Sequence, residues 1–216
     1  FTLLELVKAL ESGKGEGGGE GGGFAGIQGI TWRDGDSVRV NPSRSPVANL
    51  DELPFPARHL LPPLGFYRPV AMYYRHLPCV HMFTSLGCPF TCTFCQSSRL
   101  APGNLFGKKV RTHSAEYSLA EVEHLIKDFG VREIFIIDDV FNLSKKRVVE
   151  FCEGMIRKGF HKKLSWLCNV QVSRPVVDDE LFEVMKRAGC WMIMPGFESG
   201  DQRILDVIKK GITLED

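Results

Sequence analysis

The stretch "REIFIIDDVFNLSKKRVVEFCEGMIRKG", from Arg132 to Gly159, contains one strand-to-helix unit. Its first part, 132–138, is an almost continuous apolar run, which is typical of a strand covered on both faces in a parallel sheet. Its second part, 144–159, is amphipathic and stops at Gly159, a residue that favours the end of a helix. The stretch therefore predicts a buried strand followed by a crossover helix, the repeating unit of an α/β fold.

The same alternation recurs on both sides of this unit, with a period of roughly 30 residues. The other predicted strands lie at 80–86, 163–172 and 190–197, and the other predicted helices at 118–130, 178–189 and 201–211. For the first of these helices, Ser118 and Glu121 are the predicted capping box and Gly130 the predicted end. The pattern βαβαβαβα predicts a parallel sheet, either doubly wound or rolled into a barrel.

Polar side chains follow each predicted strand at its carboxyl end. They are Cys88, Cys92 and Cys95 after the first strand, Asp138 and Asp139 after the second, Asn169, Gln171 and Ser173 near the end of the third, and Glu198 after the fourth. The carboxyl ends of parallel strands meet at one edge of the sheet, where the sites of such folds lie. The sequence therefore predicts one site at this edge.

The three cysteines have the spacing C-x3-C-x2-C, at Cys88, Cys92 and Cys95. Three thiolates on one loop suit three irons of a [4Fe–4S] cluster and leave the fourth iron without a protein ligand. An iron with an open position is a place for chemistry, much as an open zinc position is. This spacing makes the three cysteines the predicted metal ligands.

A zinc site is the alternative interpretation of the same loop, and it requires a fourth protein ligand. The candidates for that ligand are Cys79, His81 and His113. Under this interpretation the domain is a zinc or iron–sulfur module that binds a partner without catalysis. The remaining cysteines lie inside helix or strand patterns and are predicted to be small buried apolar residues: Cys152, Cys168 and Cys190.

The amino-terminal third has a different composition from the rest of the chain. Residues 13–23 are mostly glycine and predict a flexible connector, and Asp34-Gly35 between alternating apolar positions predicts a β-hairpin. Residues 41–73 are rich in proline and predict an extended linker. The chain opens on Phe1 inside a helical pattern and closes on a helix start, so we expect a piece of a longer protein.

The composition gives no support for several classes of partner. A net charge of +1 for 216 residues offers no electrostatic argument for binding nucleic acid or an acidic membrane surface. No apolar run approaches the ~18 residues of a spanning helix. Seven unevenly spaced cysteines do not form a disulfide framework, so a reducing cytoplasm is the expected compartment.

The cysteine loop "GCPFTCTFC" resembles the cluster loop of the radical S-adenosylmethionine (radical SAM) superfamily, including the aromatic residue just before the last cysteine. The resemblance continues through "EIFIIDDVFN", "WLCN", "DDELFEVMKRAGC" and "GFESGDQRILDVIKKGIT". These segments are similar to the branch whose members carry an amino-terminal cobalamin-binding domain. The segment that begins "FAGIQGITWRDGDSVRVNP" is similar to the stretch that joins the two domains, so the resemblance covers nearly all of the chain except the glycine tract.

The resemblance implies a cofactor enzyme. In that superfamily the open iron binds the amino and carboxylate groups of S-adenosylmethionine, and an electron from the reduced cluster breaks a carbon–sulfur bond to form a 5′-deoxyadenosyl radical. The radical abstracts hydrogen from a substrate or supports a cobalamin-dependent methyl transfer. A small-molecule substrate, an electron donor such as flavodoxin or ferredoxin, and cobalamin in the full-length parent are the implied partners.

The resemblance also implies roles for particular residues. Cys88, Cys92 and Cys95 are the cluster ligands, and Phe94 lies where the loop of the family packs against adenine. Asp138 and Asp139 stand where many members have a Gly-Gly-Glu turn that holds the methionine amino group, and at least one of them is expected to pair with that ammonium. Glu198 is expected near the ribose or the methionine part of the cofactor. No residue is assigned as a general acid or base.

The chain also departs from the family pattern. The family barrel has six βα units and this sequence supplies about four, so we expect a partial (βα) barrel that is truncated at its carboxyl end and poor at catalysis. The cobalamin fingerprint D-x-H-x-x-G is absent from the sequence. A methylthiotransferase is the rival within the superfamily, but it needs a second cluster domain, and residues 1–79 contain only Cys79.

The predicted organisation has three parts. Residues 1–40 are the end of an amino-terminal domain of the cobalamin-binding type, residues 41–73 are the linker, and residues 74–216 are the radical SAM core.

Overall fold

A computed structural model describes residues 1–13, 23–101, 109–173 and 176–216. Apart from its two end residues, the connector predicted for 13–23 lies outside these ranges. The chain divides into two compact units, residues 1–47 and residues 48–216. This division differs from the predicted one, because most of the proline-rich linker belongs to the same unit as the predicted core.

The first unit contains a helix and a hairpin. Helix α1 spans Thr2–Glu11, and strands β1 (Thr31–Asp34) and β2 (Ser37–Val40) pair antiparallel. Gly35, in the two-residue loop of the hairpin, has a φ of 58°, a conformation that glycine adopts without steric cost. The predicted hairpin is therefore confirmed.

The second unit repeats strands and helices. Its elements are β3 (Cys79–Met82), β4 (Ser85–Leu86), β5 (Arg111–Thr112), α2 (Ala115–Phe129), β6 (Glu133–Ile136), α3 (Lys145–Arg157), β7 (Ser165–Val170), α4 (Asp179–Arg187), β8 (Cys190–Pro195) and α5 (Gln202–Val207). Short 3-10 turns occupy much of 50–73. Within the described ranges, every helix is too short or too polar to cross a bilayer.

Strands β3, β6, β7 and β8 form a parallel sheet in that order, which confirms the predicted α/β architecture. Alternate residues of the strands point toward α2, α3 and α4, and Ile134 and Trp166 lie in that core. Helices α2 and α3 approach closely at Gly154, where a Cβ atom would lie 2.1 Å from Leu119 Cδ1. The core also contains the three cysteines predicted to be buried apolar residues: Cys152, Cys168 and Cys190.

The predicted start of helix α2 is wrong. The helix begins at Ala115, and Ser114 is its N-cap, accepting a hydrogen bond from the Tyr117 amide at 3.0 Å. Ser118 lies inside the helix, and the buried Glu121 carboxylate accepts a hydrogen bond from Arg58 Nη1 at 2.7 Å instead of closing a capping box. Glu121 therefore serves a buried ion pair with a residue 63 positions earlier in the chain.

Arg58 also shows what the proline-rich segment does. Its Nη2 donates to the carbonyl oxygen of His81 in the edge strand β3 at 3.1 Å. Both members of the Arg58–Glu121 pair are less than 10% exposed. Arg58 thus saturates one carbonyl on the free edge of β3, which makes that edge less available for pairing with another chain.

The first predicted strand, 80–86, is divided in two. Strand β3 ends at Met82, and β4 pairs antiparallel with β5, outside the parallel sheet. The division occurs at Thr84, whose amide donates to a carboxylate oxygen of Asp138 at 2.6 Å instead of continuing the ladder. A run of apolar residues could not reveal this division, because the partner of Thr84 is 54 residues away.

Candidate functional site

A cavity of about 310 Å³ opens at the carboxyl ends of β6, β7 and β8. Its wall includes the three cysteines of the C-x3-C-x2-C loop together with Phe94. The strand ends contribute Asp139, Asn169 and Gln171, and the segment after β8 contributes Glu198 and Lys210. The structure therefore brings polar groups from three strand ends and the cysteine loop to one place, as the sequence pattern predicts.

The cysteine loop is constrained at its start and in its middle. Gly87, directly before Cys88, has a φ of 97°, a conformation that favours glycine and turns the chain into the loop. Further along, the Thr93 amide donates to the carbonyl oxygen of Ile208 at 2.9 Å, which ties the middle of the loop to the end of α5. The side chain of Phe94 is 57% exposed, so this ring presents a free face at the cavity.

Burial sets the protonation of the cavity thiols. Burial raises the pKa of Cys88, and the negative charge of Asp139 adds to that rise. Burial also raises the pKa of Cys92, while the Lys210 ammonium acts in the opposite direction. Both thiols therefore favour the protonated form at neutral pH, and a metal that binds them would have to displace the proton.

Lys210 is a cavity residue that the sequence analysis missed. Its Nζ lies 3.0 Å from Glu198 Oε1, and its side chain is only 12% exposed. Gly196 leaves space for this ion pair, because a Cβ there would lie 2.9 Å from Lys210 Nζ. Lys209 and Lys210 are adjacent and chemically identical, so the sequence contains no signal that distinguishes the lysine at the cavity from its neighbour.

The two adjacent aspartates have separate environments. Asp139 lines the cavity. Asp138 is fully buried, and its carboxylate accepts hydrogen bonds from the Thr84 amide, the Ser85 amide and the Thr84 hydroxyl. The assignment of Asp138 as a cofactor-binding residue therefore needs correction, because its oxygens are already engaged inside the protein. Asp139 remains the candidate partner of an ammonium group.

Of the three polar residues predicted near the end of the third strand, two line the cavity and one does not. Asn169 and Gln171 line the cavity, and Asn169 Nδ2 donates to the backbone carbonyl of Asp138 at 3.1 Å. The backbone of Gln171 exchanges two hydrogen bonds with the side chain of Asn142, at 2.8 and 2.9 Å. Ser173 lies beyond the strand, where its carbonyl accepts from the Val176 amide at 2.8 Å.

The candidate fourth ligands of a zinc site lie away from the cysteine loop. Cys79 and His81 line a different cavity, at the edge of β3. His113 Nδ1 lies 3.1 Å from Asp51 Oδ1, and its ring stacks on Tyr117 with centroids 4.0 Å apart. Within the described ranges, no three His, Cys, Asp or Glu side chains converge on a point where one metal ion would sit. A single zinc ion needs such convergence.

The donor set fits an iron–sulfur cluster better than it fits a single ion. Three thiols of one loop line the same cavity, and each thiolate of a cubane binds a different iron, so the sulfurs need not meet at one point. The same cavity contains carboxylates from Asp139 and Glu198 and the ammonium of Lys210, which suit a ligand that carries both charges. The lining of the site thus has the donor set of a cluster and the charges that complement a zwitterion.

Comparison with known proteins places the chain in a family. Residues 82–216 match the Radical SAM superfamily. This range is more than half of the chain and contains the three cysteines and every residue that lines the cavity. The chain belongs to the radical SAM superfamily.

Two curated proteins are similar in sequence to this chain. Uncharacterized methyltransferase PH0819 of Pyrococcus horikoshii is 34% identical over 212 residues, which are 98% of this chain and 41% of that protein. The anaerobic magnesium-protoporphyrin IX monomethyl ester cyclase of Cereibacter sphaeroides is 33% identical over 128 residues, which are 59% of this chain and 20% of that protein. The chain thus spans less than half the length of either relative.

A solved structure shows the same fold. The cobalamin-dependent S-adenosylmethionine radical enzyme OxsB, with aqua-cobalamin bound, is similar with a TM-score of 0.72 and 24% identity. The similarity covers 100% of this chain and 29% of that chain. This likeness confirms the predicted partial α/β core.

Proposed function

We propose that Cys88, Cys92 and Cys95 hold a [4Fe–4S] cluster and that the adjoining cavity binds S-adenosylmethionine for reductive cleavage. The observation that supports this proposal is the meeting of the cysteine loop and three charged side chains at one cavity of about 310 Å³. A reduced cluster of this kind supplies the electron that breaks a carbon–sulfur bond of S-adenosylmethionine. The protein binds the cofactor, orients it and limits the access of water.

The charges of the cavity suggest how the cofactor is oriented. The methionine part of S-adenosylmethionine carries an ammonium and a carboxylate. Asp139 is the proposed partner of the ammonium, and Lys210 is the proposed partner of the carboxylate, since an ion pair in a partly enclosed site is stronger than one in water. Glu198 already holds Lys210 and is proposed to accept hydrogen bonds from the ribose hydroxyls. The exposed ring of Phe94 offers an apolar surface to adenine.

We propose methyl transfer as the reaction of the full-length protein, with cobalamin as a further cofactor. The name of the Pyrococcus horikoshii relative and the cofactor of OxsB support this choice. The residues that would bind cobalamin are proposed for the parent protein, because the D-x-H-x-x-G fingerprint is absent from this chain. A small-molecule substrate and an electron-donor protein such as flavodoxin or ferredoxin are part of the same proposal.

Electron paramagnetic resonance of the anaerobically reconstituted, dithionite-reduced protein tests the proposal. We expect about four irons per chain and a signal that shifts when S-adenosylmethionine is added. Replacement of Lys210 by Met should raise the cofactor concentration needed for the shift, whereas Lys209→Met, next to it, should leave that concentration unchanged. Zinc in place of iron, or a signal that ignores the cofactor in both this chain and the full-length parent, would overturn the proposal.

Product analysis with the full-length parent tests the reaction class. A methyl group on the substrate supports methyl transfer. A methylthio group identifies the rival methylthiotransferase, and a new ring identifies a reaction like that of the cyclase.

A further inference from the structure

A buried polar cluster lies beneath the cysteine loop, outside the cavity. Asp138 is fully buried there. Its Oδ1 accepts hydrogen bonds from the Thr84 amide at 2.6 Å and from the Ser85 amide at 2.9 Å, and its Oδ2 accepts from the Thr84 hydroxyl at 2.5 Å. One carboxylate thus engages two consecutive amides and a hydroxyl at the point where the chain leaves the sheet.

Arg147 of helix α3 completes the cluster. Its Nη1 donates to the Thr84 hydroxyl at 2.7 Å, and its Nη2 donates to the Phe141 carbonyl at 2.8 Å. Nη2 also lies 3.6 Å from Asp138 Oδ2, with the arginine side chain only 12% exposed. A guanidinium can only donate and an ionised carboxylate can only accept, so the Thr84 hydroxyl must accept from Arg147 and donate to Asp138. The direction of every hydrogen bond in the cluster is therefore fixed.

Thr84 connects this cluster to the backbone that leads to Cys88. Thr84 lies between β3 and β4, four residues before Cys88. Its carbonyl accepts from the His113 amide at 2.9 Å, so its amide, its carbonyl and its hydroxyl all have partners. Little freedom remains for the backbone that delivers Cys88 to the cavity.

The same cluster also determines the placement of Asp139. Asp139 directly follows the anchored Asp138, and Asn169 Nδ2 donates to the Asp138 carbonyl at 3.1 Å. The backbone between the two aspartates is therefore tied to β7, while the Asp138 side chain is tied to Thr84 and Ser85 at the start of β4. The segment that leads into the cysteine loop and the cavity carboxylate of Asp139 share one anchor.

We propose that Asp138 and Arg147 are positioning residues that act through Thr84 to set where Cys88 lies relative to Asp139. This inference rests on the proposed function, since it concerns the loop that would hold the cluster. Neither residue touches the cavity; each acts on ligands that do. Groups that hydrogen-bond directly to metal ligands typically change metal affinity 10–100-fold when they are replaced, and the lower end of that range is expected for this more remote anchor.

Four variants of the reconstituted chain test the proposal. Thr84→Val keeps the shape of the side chain and removes the hydroxyl, Thr84→Ser keeps the hydroxyl, and Asp138→Asn removes the charge. Glu133→Gln is the matched control, because Glu133 is an equally buried acid near the other end of the same strand. The readouts are iron loss to a chelator, the resonance spectrum of the reduced cluster with and without S-adenosylmethionine, and the unfolding midpoint.

We expect Thr84→Val and Asp138→Asn to lose iron roughly 10-fold faster and to show an altered spectrum, while Thr84→Ser matches the wild type. Glu133→Gln should lower the unfolding midpoint and leave the spectrum unchanged. Wild-type spectra in Thr84→Val and Asp138→Asn, or the same altered spectrum in Glu133→Gln, would overturn the positioning role and leave the proposed function intact. Failure of the wild-type chain to take up iron would overturn both.

Discussion

Strand β6 has a buried carboxylate near each end, and the two carboxylates have different partners. Glu133, at the amino end, accepts from Ser165 Oγ at 2.6 Å, from the indole Nε1 of Trp191 and from the Arg75 amide at 3.3 Å. Asp138, two residues past the carboxyl end, binds Thr84 and Ser85, which lead into the cysteine loop. Glu133 therefore joins strands to one another, whereas Asp138 joins the sheet to the loop that carries the chemistry.

The cavities at the amino and carboxyl ends of the parallel strands differ in size and in the side chains that line them. The amino-end cavity is the larger, about 690 Å³ against about 310 Å³, and cationic side chains such as Arg132 and Lys163 line it. Another cation of this cavity, Lys186, lies in the last turn of α4, where the helix dipole stabilises a positive charge. The smaller cavity contains the thiols and the mixture of acid and base that a cofactor needs, so chemistry and not volume identifies the site.

Thiol alkylation should show the largest difference between the two ends. Burial raises the pKa of Cys79, the first residue of β3, to about 12, and Glu133 adds to the rise. Against the ordinary value of 9.0, this leaves roughly 1,000-fold less thiolate at pH 8. Iodoacetamide and mass spectrometry of the metal-free protein should find Cys95 modified first and Cys79 unmodified until the protein unfolds. Equal rates at both residues would contradict this account.

Replacement of the two buried acids by alanine should separate their contributions to stability. Asp138→Ala leaves the Arg147 guanidinium buried without its counter-charge, so urea denaturation should show a loss of about 3–5 kcal/mol in the free energy of unfolding. Glu133→Ala removes an acceptor from neutral donors, and a loss of about 1–3 kcal/mol is expected. A larger loss for Glu133→Ala would mean that the amino end contributes more to stability.

Gly196→Ala should affect cofactor binding and leave the fold nearly unchanged. The added methyl group would lie 2.9 Å from Lys210 Nζ and 3.2 Å from Glu198 Oε1, so the ion pair must move. We expect a change in unfolding free energy below about 1 kcal/mol and a several-fold higher S-adenosylmethionine concentration for the resonance shift. Gly200→Ala is the control, because a Cβ there meets open space. If Gly196→Ala needs the same S-adenosylmethionine concentration for the resonance shift as the wild type, the position of Lys210 does not affect cofactor binding.

Ser85→Ala should have the smallest effect. Within the described part of the chain, Ser85 Oγ is a buried side-chain atom without a hydrogen-bond partner, three residues before Cys88. Removing an unsatisfied buried hydroxyl is neutral or stabilising by up to about 1 kcal/mol. Thermal unfolding of the metal-free protein checks the stability. A clear destabilisation would show that the hydroxyl has a partner in solution.

Local patterns predicted the elements well and their partners poorly. The apolar run of β6 and the helical spacing of α3 identified both elements, because each pattern reflects what covers a strand or helix along its own length. The capping box at Ser118 and Glu121 failed because Arg58, far away in sequence, competes for the carboxylate. The extended strand at 80–86 failed for the same reason, since Asp138 takes the Thr84 amide.

The sequence by itself determined the α/β repeat, the cysteine spacing and the edge of the sheet where the polar groups meet. These features depend on spacing along the chain and on the rule that parallel strands end at the same edge. Only the tertiary structure decided between neighbours of identical chemistry: Asp139 and not Asp138 faces the cavity, and Lys210 and not Lys209 pairs with Glu198. Adjacent side chains point in different directions, and the packing of distant segments selects which direction leads to the site.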